Sequence, residues 1–543
     1  MLPVLDRSDG PSLRSGFLRH AASDADAPAF VVRGVTCSYG RMEETARRWA
    51  RALVDVSGGR AERVGLFAYR SAVAYTGTMA ALFAGAAYVP LNPTFPPDRT
   101  SAMIASADLD AVIVDSACLP QVAQLGALSQ IPLLIPEVEV NAIPGMSGRI
   151  FDKAELERLP ALAQLPPLTP DDLAYLLFTS GSTGPPKGVP VTHGNAVHCI
   201  DFMSRRYGIQ PHDRLSQTFD QTFDVAVFDL FVAWSNGACL YGMSPVELLS
   251  PTKFINQNEI SVWFSVPSVP VQMARRGTLL PNSLPSLRWS LFAGEPLMQR
   301  SAEMWQAAAP NSIVENLYGP TEATIVCVLH RWDPARSPAM CRNRIVPIGR
   351  PNDGLSVVLV DEHLQPVPDG TVAELCVAGP QTTRGYWRAP EITAERYVEL
   401  KTSKHQTRLF YRTGDMVTRL PDGEYMFVGR ADNQIKVLGH RVELGEIEAT
   451  LREHPGVEDA VAFGWPAVGS VADGIVAFVS GNLDGIDALL ERAKAALPPY
   501  IVPRRIFTVA EMPLNANGKV DRRALKERLP SLMGEASDAA GTH

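Results

Sequence analysis

Leu176-Leu177-Phe178-Thr179-Ser180-Gly181-Ser182-Thr183-Gly184-Pro185-Pro186-Lys187-Gly188 is an apolar run that passes into Ser, Thr and Gly and closes on a single lysine. Glycines let a backbone approach an anion and turn its N–H groups inward, hydroxyls add donors, and Lys187 adds a positive charge. That combination grips phosphate. It is not the P-loop spelling GxxxxGK followed by Ser or Thr, because Gly188-Val189-Pro190 comes next and is a poor place to open a helix. A merely flexible polar loop fits poorly, since six Ser, Thr and Gly residues (Thr179 to Gly184) follow a strand-like apolar run without a break.

Outward from this loop the chain alternates. ERVGLFAY, AAYVPLN and DAVIVD are apolar runs of strand length, and MEETARRWARALVD and AVAYTGTMAALFAG between them have helical period. RLSQTF, CLYGM, SVWFSV, RWSLFAG and SIVENLYG continue the strand series after Leu173. Alternation of this kind predicts parallel sheets covered by helices. Residues 130–172 are rich in proline without clear period and read as a surface excursion. Near Pro351 the texture turns to β with Pro-Asp-Gly turns, as in LSVVLVDEHLQPVPDGTVAELCVAG. The last part reads as a smaller α+β unit: a helix beginning in RVELGEIEATLREH, strands AVAFGW and GIVAFVSG, and the amphipathic IDALLERAKAAL. The tail LPSLMGEASDAAGTH is polar and expected to be disordered.

At 543 residues the chain is too long for one core. Fifty Lys and Arg against 58 Asp and Glu give a formal net charge of -8, which argues against a nucleic-acid-binding face. Cys37, Cys118, Cys199, Cys239, Cys327, Cys341 and Cys376 are scattered, with no CxxC pair and no zinc spacing, and read as buried small hydrophobes. The N-terminus MLPVLDRSDGPSLRSGF has no apolar stretch of signal-peptide length and no run of about 18 apolar residues could span a bilayer, so a cytoplasmic location is expected, with no membrane partner.

Eight motifs in order carry a resemblance to the adenylate-forming superfamily of acyl-CoA synthetases, luciferases and peptide-synthetase adenylation domains, over roughly residues 30–528. They are Tyr88-Val89-Pro90-Leu91-Asn92-Pro93, the phosphate loop, Phe223-Asp224, Asn316-Leu317-Tyr318-Gly319-Pro320-Thr321-Glu322-Ala323-Thr324, Glu374-Leu375-Cys376-Val377-Ala378-Gly379, Tyr411-Arg412-Thr413-Gly414-Asp415, Gly429-Arg430-Ala431-Asp432 and Asn515-Ala516-Asn517-Gly518-Lys519. The resemblance implies an α/β fold. Residues 1–430 would form a large N-terminal domain of two α/β subdomains with parallel-type sheets plus a distorted β-barrel, residues 431–528 a small mobile α+β domain, and 529–543 the tail.

It also implies ATP and Mg2+. Attack of a carboxylate on the α-phosphate brings anions together, so the site must neutralise charge and hold the reactants in line. Glu322 resembles the Mg2+ ligand, and one carboxylate plus substrate phosphates is the usual magnesium arrangement. Thr179, Ser180, Gly181, Ser182, Thr183 and Lys187 fall at the phosphates, with Thr183 and Thr321 as hydroxyl partners. Tyr318 would lie against adenine with Phe427 as a second aromatic wall, and Gly294, Glu295, Asn316 and Gly319 fall in the same nucleotide site. Asp415 resembles the carboxylate that accepts the ribose hydroxyls, with Arg430 its partner. Lys519 resembles the catalytic lysine placed between substrate carboxylate and phosphate, and Asp432 the hinge of the small domain.

Asp224 separates amino acids from fatty or aryl acids, because it falls where amino-acid-activating relatives pair the substrate ammonium. An unpaired carboxylate in an apolar pocket is costly, so it implies a cationic partner. Asp220 also follows a phenylalanine but lacks the VAVFDLF continuation, and Asp229 falls where relatives usually carry Glu. By family register Val225, Phe228, Ser265, Leu291, Ala293, Leu317, Ile325 and Val326 line the pocket, almost wholly apolar. The set is similar to serine-type pockets but has Val326 where those place an acid, so a methyl fits better than a hydroxymethyl and alanine is the first choice. Glycine, 2-aminobutyrate, valine, proline and a small β-amino acid are alternatives, as is a small-acid acyl-CoA ligase. A fused carrier domain would need roughly 70 more residues after Lys519, so the expected partner is a discrete carrier protein with a phosphopantetheine thiol.

Overall fold

The computed structural model describes residues 10–140, 142–179, 186–401, 407–431, 434–468, 471–483, 485–513 and 520–539. They fall into two compact units: the larger runs to Ala431 and the smaller from Asp432 onward, with Thr94–Arg99 grouped with the smaller.

The alternating pattern of the first 350 residues becomes two large sheets. One has seven strands in the order Ile150–Asp152, Leu133–Ile135, Ala111–Val114, Arg63–Phe67, Ala87–Leu91, Leu173–Thr179, Lys187–Thr192, parallel except for the last pair. The other has nine, with a parallel centre of Ile313–Tyr318, Trp289–Phe292, Val262–Ser265, Arg214–Gln217, Cys239–Gly242 and Pro28–Val32 flanked by antiparallel edges. Strands buried on both faces need no apolar–polar alternation, and Ala87–Leu91 and Val262–Ser265 are buried at every position.

The helices follow the same logic. Tyr39–Val56 opens on Ser38, whose side chain accepts the Arg41 N–H at 3.3 Å, and buries Met42, Ala46, Trp49 and Leu53 along one face. Ala72–Phe83 is buried nearly all round, which explains its lack of a polar face. It lies so near the sheet that a Cβ at Gly77 would stand 3.2 Å from Leu66.

Beyond residue 350 five antiparallel strands form the β-rich part of the larger unit. Thr407–Arg419 is the long one, pairing with Ala373–Ala378, Tyr397–Lys401 and Tyr425–Arg430, while Ser356–Val360 adds to the edge. The smaller unit has a sheet of Asp459–Gly464, Ile475–Ser480 and Pro503–Thr508, a second sheet around Gln434–Val437 and His440–Glu443, and helices Leu444–Arg452, Ile486–Ala496 and Arg522–Ala539.

Two expectations are corrected. Residues 130–172 are not only an excursion: Leu133–Ile135 and Ile150–Asp152 extend the seven-stranded sheet, and Lys153–Arg158 is a helix whose N-cap Asp152 accepts the Glu155 N–H at 2.9 Å. The boundary of the tail after Arg528 is not a helix end, because helix Arg522–Ala539 continues past Pro530. Leu525 and Leu529, one turn apart, bury completely against Val461, Phe463, Val476 and Phe478, and that apolar pair holds the segment as helix. Cysteines are unpaired, and all but the half-buried Cys341 are buried. No described helix is long and apolar enough to cross a membrane.

Candidate functional site

In open α/β sheets, ligands bind outside the carboxyl ends of the strands. Three neighbouring parallel strands of the nine-stranded sheet end in register, Ser265 beside Phe292 and Phe292 beside Asn316. Those ends carry Ser265, Leu291, Ala293 and Leu317, four of the residues expected in the substrate pocket. Val225, Phe228, Leu291, Ala293, Leu317, Ile325 and Val326 belong to one apolar cluster and are all buried. The Phe228 ring stands edge-on to Phe264, with centroids 5.0 Å apart. Ser265 is buried too, but its hydroxyl is engaged: it accepts the Trp263 indole N–H at 2.9 Å and donates to the Val266 carbonyl at 3.3 Å.

Asp224 heads the helix Val225–Ser235 and is 8 % exposed. Its Oδ2 accepts the Ile325 N–H at 3.2 Å. Burial pushes its carboxyl up to about 7, against hydrogen bonds from Ile325, Val225 and the Thr321 side chain, and the nearby charge of Glu322 pushes the same way as burial. No described arginine, lysine or histidine forms an ion pair with it. Thr321, expected at phosphate, lies close enough to Asp224 for its hydroxyl to favour the charged carboxylate. Sequence reasoning gave no role to Tyr88 and Tyr175, paired side by side on adjacent strands with ring centroids 5.6 Å apart. Burial holds both phenols protonated, and both feel the Asp224 charge.

Asp229, five residues further along the helix, is also buried, and burial raises its pKa well above the usual range despite the charge of Arg70. It faces the Arg70 and Thr218 side of the molecule rather than joining the Asp224 cluster.

The motif Asn316–Thr324 runs from strand Ile313–Tyr318 into the short 3-10 turn Thr321–Ala323. Gly319 is required there: a Cβ would meet the Ile325 carbonyl oxygen at 2.4 Å. Thr324 and Ile325 then adopt φ values of 55° and 69°, which β-branched residues rarely do. Glu322 is 1 % exposed, and its Oε1 accepts the Tyr386 hydroxyl at 2.5 Å. The Glu322 carbonyl accepts the Thr383 N–H at 2.9 Å. Tyr386 and Thr383 were missed because Gly379–Tyr386 reads locally as a turn.

Tyr318 donates its hydroxyl to Asp415 Oδ2, and Arg430 donates to Oδ1 at 2.6 Å, both partners of the pair being nearly buried. Asp415 and Arg430 face each other across adjacent strands, so cross-strand register joins the two motifs that carry them. Phe427, half-buried, packs on the apolar cluster that contains Tyr318. The Asn316 amide donates to the Pro347 carbonyl at 2.9 Å. Gly294 has φ 90°, and the Glu295 carboxylate accepts the Ser268 N–H at 2.9 Å at the start of helix Ser268–Arg275.

The expected phosphate loop is flanked by a hairpin, Leu173–Thr179 against Lys187–Thr192, with Thr179 opposite Lys187. As expected, no helix opens at Gly188. Ser180, Gly181, Ser182, Thr183, Asp432 and Lys519 lie outside the described residues. Among the described residues no group of three or more His, Cys, Asp and Glu side chains could hold a metal ion by itself.

Comparison with known proteins bears on this arrangement. The crystal structure of the Vibrio cholerae adenylation domain AlmE in complex with glycyl-adenosine-5'-phosphate is 30% identical and superposes with a TM-score of 0.84, covering 96% of this chain and 98% of that one. The crystal structure of IdnL7 is 40% identical, with a TM-score of 0.72, and covers 96% of this chain and 99% of that one. The L-proline--[L-prolyl-carrier protein] ligase of Pseudomonas fluorescens is 34% identical over 506 residues, 91% of this chain and 94% of that protein. Tyrocidine synthase 3 of Brevibacillus parabrevis is 34% identical over 94% of this chain, which spans only 7% of the length of that much larger protein. The AMP-binding enzyme signature matches residues 17–387 and the AMP-binding enzyme C-terminal domain residues 446–519. With the ordered motifs folded onto the strand ends and turns just described, these matches make the chain a member of the AMP-binding enzyme family, of the nonribosomal-peptide-synthetase adenylation type.

Proposed function

We propose that the protein activates a small apolar amino acid, alanine first, with ATP to give aminoacyl-AMP and pyrophosphate, and then passes the aminoacyl group to the phosphopantetheine thiol of a separate carrier protein. The observation that carries this reading is Asp224, a buried carboxylate among apolar side chains with no described cationic partner. A substrate ammonium supplies that partner. The described residues expected to line the pocket offer no charged or amide side chain to a polar substrate, and the Val326 side chain gives a substrate hydroxyl nothing to bond.

In this reading the substrate carboxylate attacks the α-phosphorus, the bond to the pyrophosphate oxygen breaks, and pyrophosphate leaves. Asp224 fixes the ammonium end so that the carboxylate points at the nucleotide. Tyr318 packs against adenine, and Asp415, buttressed by Arg430, receives the ribose. The residues present suit Mg2+ as a partner of phosphate: Glu322 is a single buried carboxylate oriented by Tyr386, and a magnesium ion bound through one carboxylate takes its other ligands from phosphate oxygens and water. When bound, the ion neutralises phosphate charge. Lys519 offsets the charge that develops between carboxylate and phosphate. In the second half-reaction the thiol attacks the adenylate carbonyl, AMP departs, and a thioester remains, with rotation about Asp432 exchanging the two active poses.

The glycyl-adenosine-5'-phosphate in complex with AlmE and the proline in the name of the Pseudomonas fluorescens ligase support a small amino acid, and leave glycine and proline as the competing substrates. Pyrophosphate exchange over L-, D- and β-amino acids is the test. Alanine should give the highest kcat/KM, Asp, Glu, Lys, Arg and Asn none above background, and propanoate none. Equal exchange with propanoate would overturn the amino-acid reading and leave a small-acid acyl-CoA ligase.

A companion variant checks the pocket. Because the Ser265 hydroxyl is engaged by Trp263 and Val266, Ser265→Ala should change the KM for alanine less than about threefold while destabilising the fold by about 1–3 kcal/mol through the orphaned indole N–H. Thermal unfolding and exchange kinetics measure the two effects, and a tenfold KM change would place that hydroxyl on the substrate instead.

A further inference from the structure

Three carbonyls of the turn that follows Glu322 converge on one side chain. Gln381, fully buried, donates its Nε2 to Val326 O at 2.7 Å, Thr324 O at 3.2 Å and Ala323 O at 3.4 Å. Thr324 returns a bond, its Oγ1 donating to the Gln381 carbonyl at 2.5 Å. Asn352, also buried, donates its Nδ2 to Val326 O at 2.6 Å and lies 3.4 Å from Gln381 Oε1. The two amides thus clasp the segment 323–326 from behind.

That segment needs clasping. Thr324 and Ile325 are both left-handed, and the Val326 N–H reaches back to Thr324 O at 2.9 Å, closing a three-residue turn about Ile325. Such turns are strained with a β-branched residue at the centre and persist only where the surroundings over-determine them. Ile325 is also the residue whose N–H is held on Asp224. With Ile325 in the ordinary right-handed or extended region, that N–H would turn away from Asp224. Neither amide is among the residues expected at the substrate or nucleotide.

We propose that Gln381, seconded by Asn352, is a positioning residue for amino-acid recognition: by holding Thr324–Ile325 left-handed it keeps the Ile325 N–H on Asp224 and so aims the carboxylate at the substrate ammonium. This rests on the reading of Asp224 as the ammonium partner.

The test compares two inhibitors of the full chain, alanyl-sulfamoyladenosine and its desamino counterpart propanoyl-sulfamoyladenosine. They differ only in the ammonium, so the ratio of their inhibition constants reports the Asp224 contact, and a general loss of structure would weaken both alike. In Gln381→Leu the preference for the alanyl compound should fall about tenfold, as for loss of a well-aimed charged hydrogen bond, with propanoyl binding unchanged. Asn352→Leu should move the ratio the same way, and it decides the matter alone should Gln381→Leu not fold. Equal weakening of both compounds, or an unchanged ratio, overturns the proposal. Asp224→Asn run alongside separates the two layers. A preference that survives in Asp224→Asn refutes the ammonium reading. A preference lost there but kept in the Gln381 and Asn352 variants refutes only the clamp.

Discussion

Asp224→Asn is expected to lower amino-acid-dependent pyrophosphate exchange about 10³-fold, on the scale of a broken buried ion pair, and at the same time to make the substrate-free protein more stable above pH 7. The two effects share one cause. Burial raises the folded-state pKa of Asp224 to about 7, well above the usual carboxylate value. Below about pH 4 the carboxyl is protonated in both folded and unfolded chains, and burying it carries no titration penalty. As pH rises through that value the unfolded chain releases the proton first, so stability falls until the folded carboxyl titrates near 7. Above that the loss levels off at about 4 kcal/mol. The neutral amide that Asp224→Asn introduces has no such loss. Thermal unfolding without substrate should therefore show the variant several degrees above the wild type at pH 8, and a much smaller difference at pH 4.5. A difference independent of pH, or wild-type exchange activity, contradicts the assignment.

Lys519→Ala is the second large effect. Adenylation by pyrophosphate exchange should fall at least about 10²-fold, the scale of removing one pre-aimed charge from the transition state. Thioester formation from a supplied aminoacyl-adenylate and a holo carrier protein should stay within about threefold of wild type. The asymmetry follows from the chemistry: the lysine offsets charge only while carboxylate and phosphate meet, and the thiol attacks a carbonyl already activated. Equal loss in both half-reactions would remove Lys519 from its proposed role.

Much of this molecule is legible in its sequence, for identifiable reasons. Strands such as Ala111–Val114 and Ile475–Ser480 are short apolar runs with helical segments or turns on either side, and helices such as Tyr39–Val56 show their period openly. Leu133–Ile135 and Ile150–Asp152 escaped notice because strands of three residues are too short to establish a period. The helix past Arg528 was hidden by Pro530 and by a polar surface around one buried leucine pair.

The site divides the same way. Asp224, Glu322 and Asp415 sit in motifs whose residue types announce their chemistry. Gln381, Asn352 and Tyr386 do not, because each acts on a partner distant in sequence: Gln381 on Val326, Asn352 on the same carbonyl, Tyr386 on Glu322. A polar residue in a turn looks alike whether it faces solvent or holds the backbone of another segment, and only tertiary structure tells the two apart.

The strand ends that carry the expected pocket residues have a consequence for how such an enzyme diversifies. Ser265, Leu291 and Leu317 lie on parallel strands and Ala293 directly follows one, whereas Glu322 and Asp415 belong to a turn and to a different sheet. In the proposed reading, exchange of one of the first four residues would reshape the pocket wall without touching the turn of Glu322 or the sheet of Asp415. On that reading substrate choice would be free to drift by single replacements while the ligation chemistry is inherited intact.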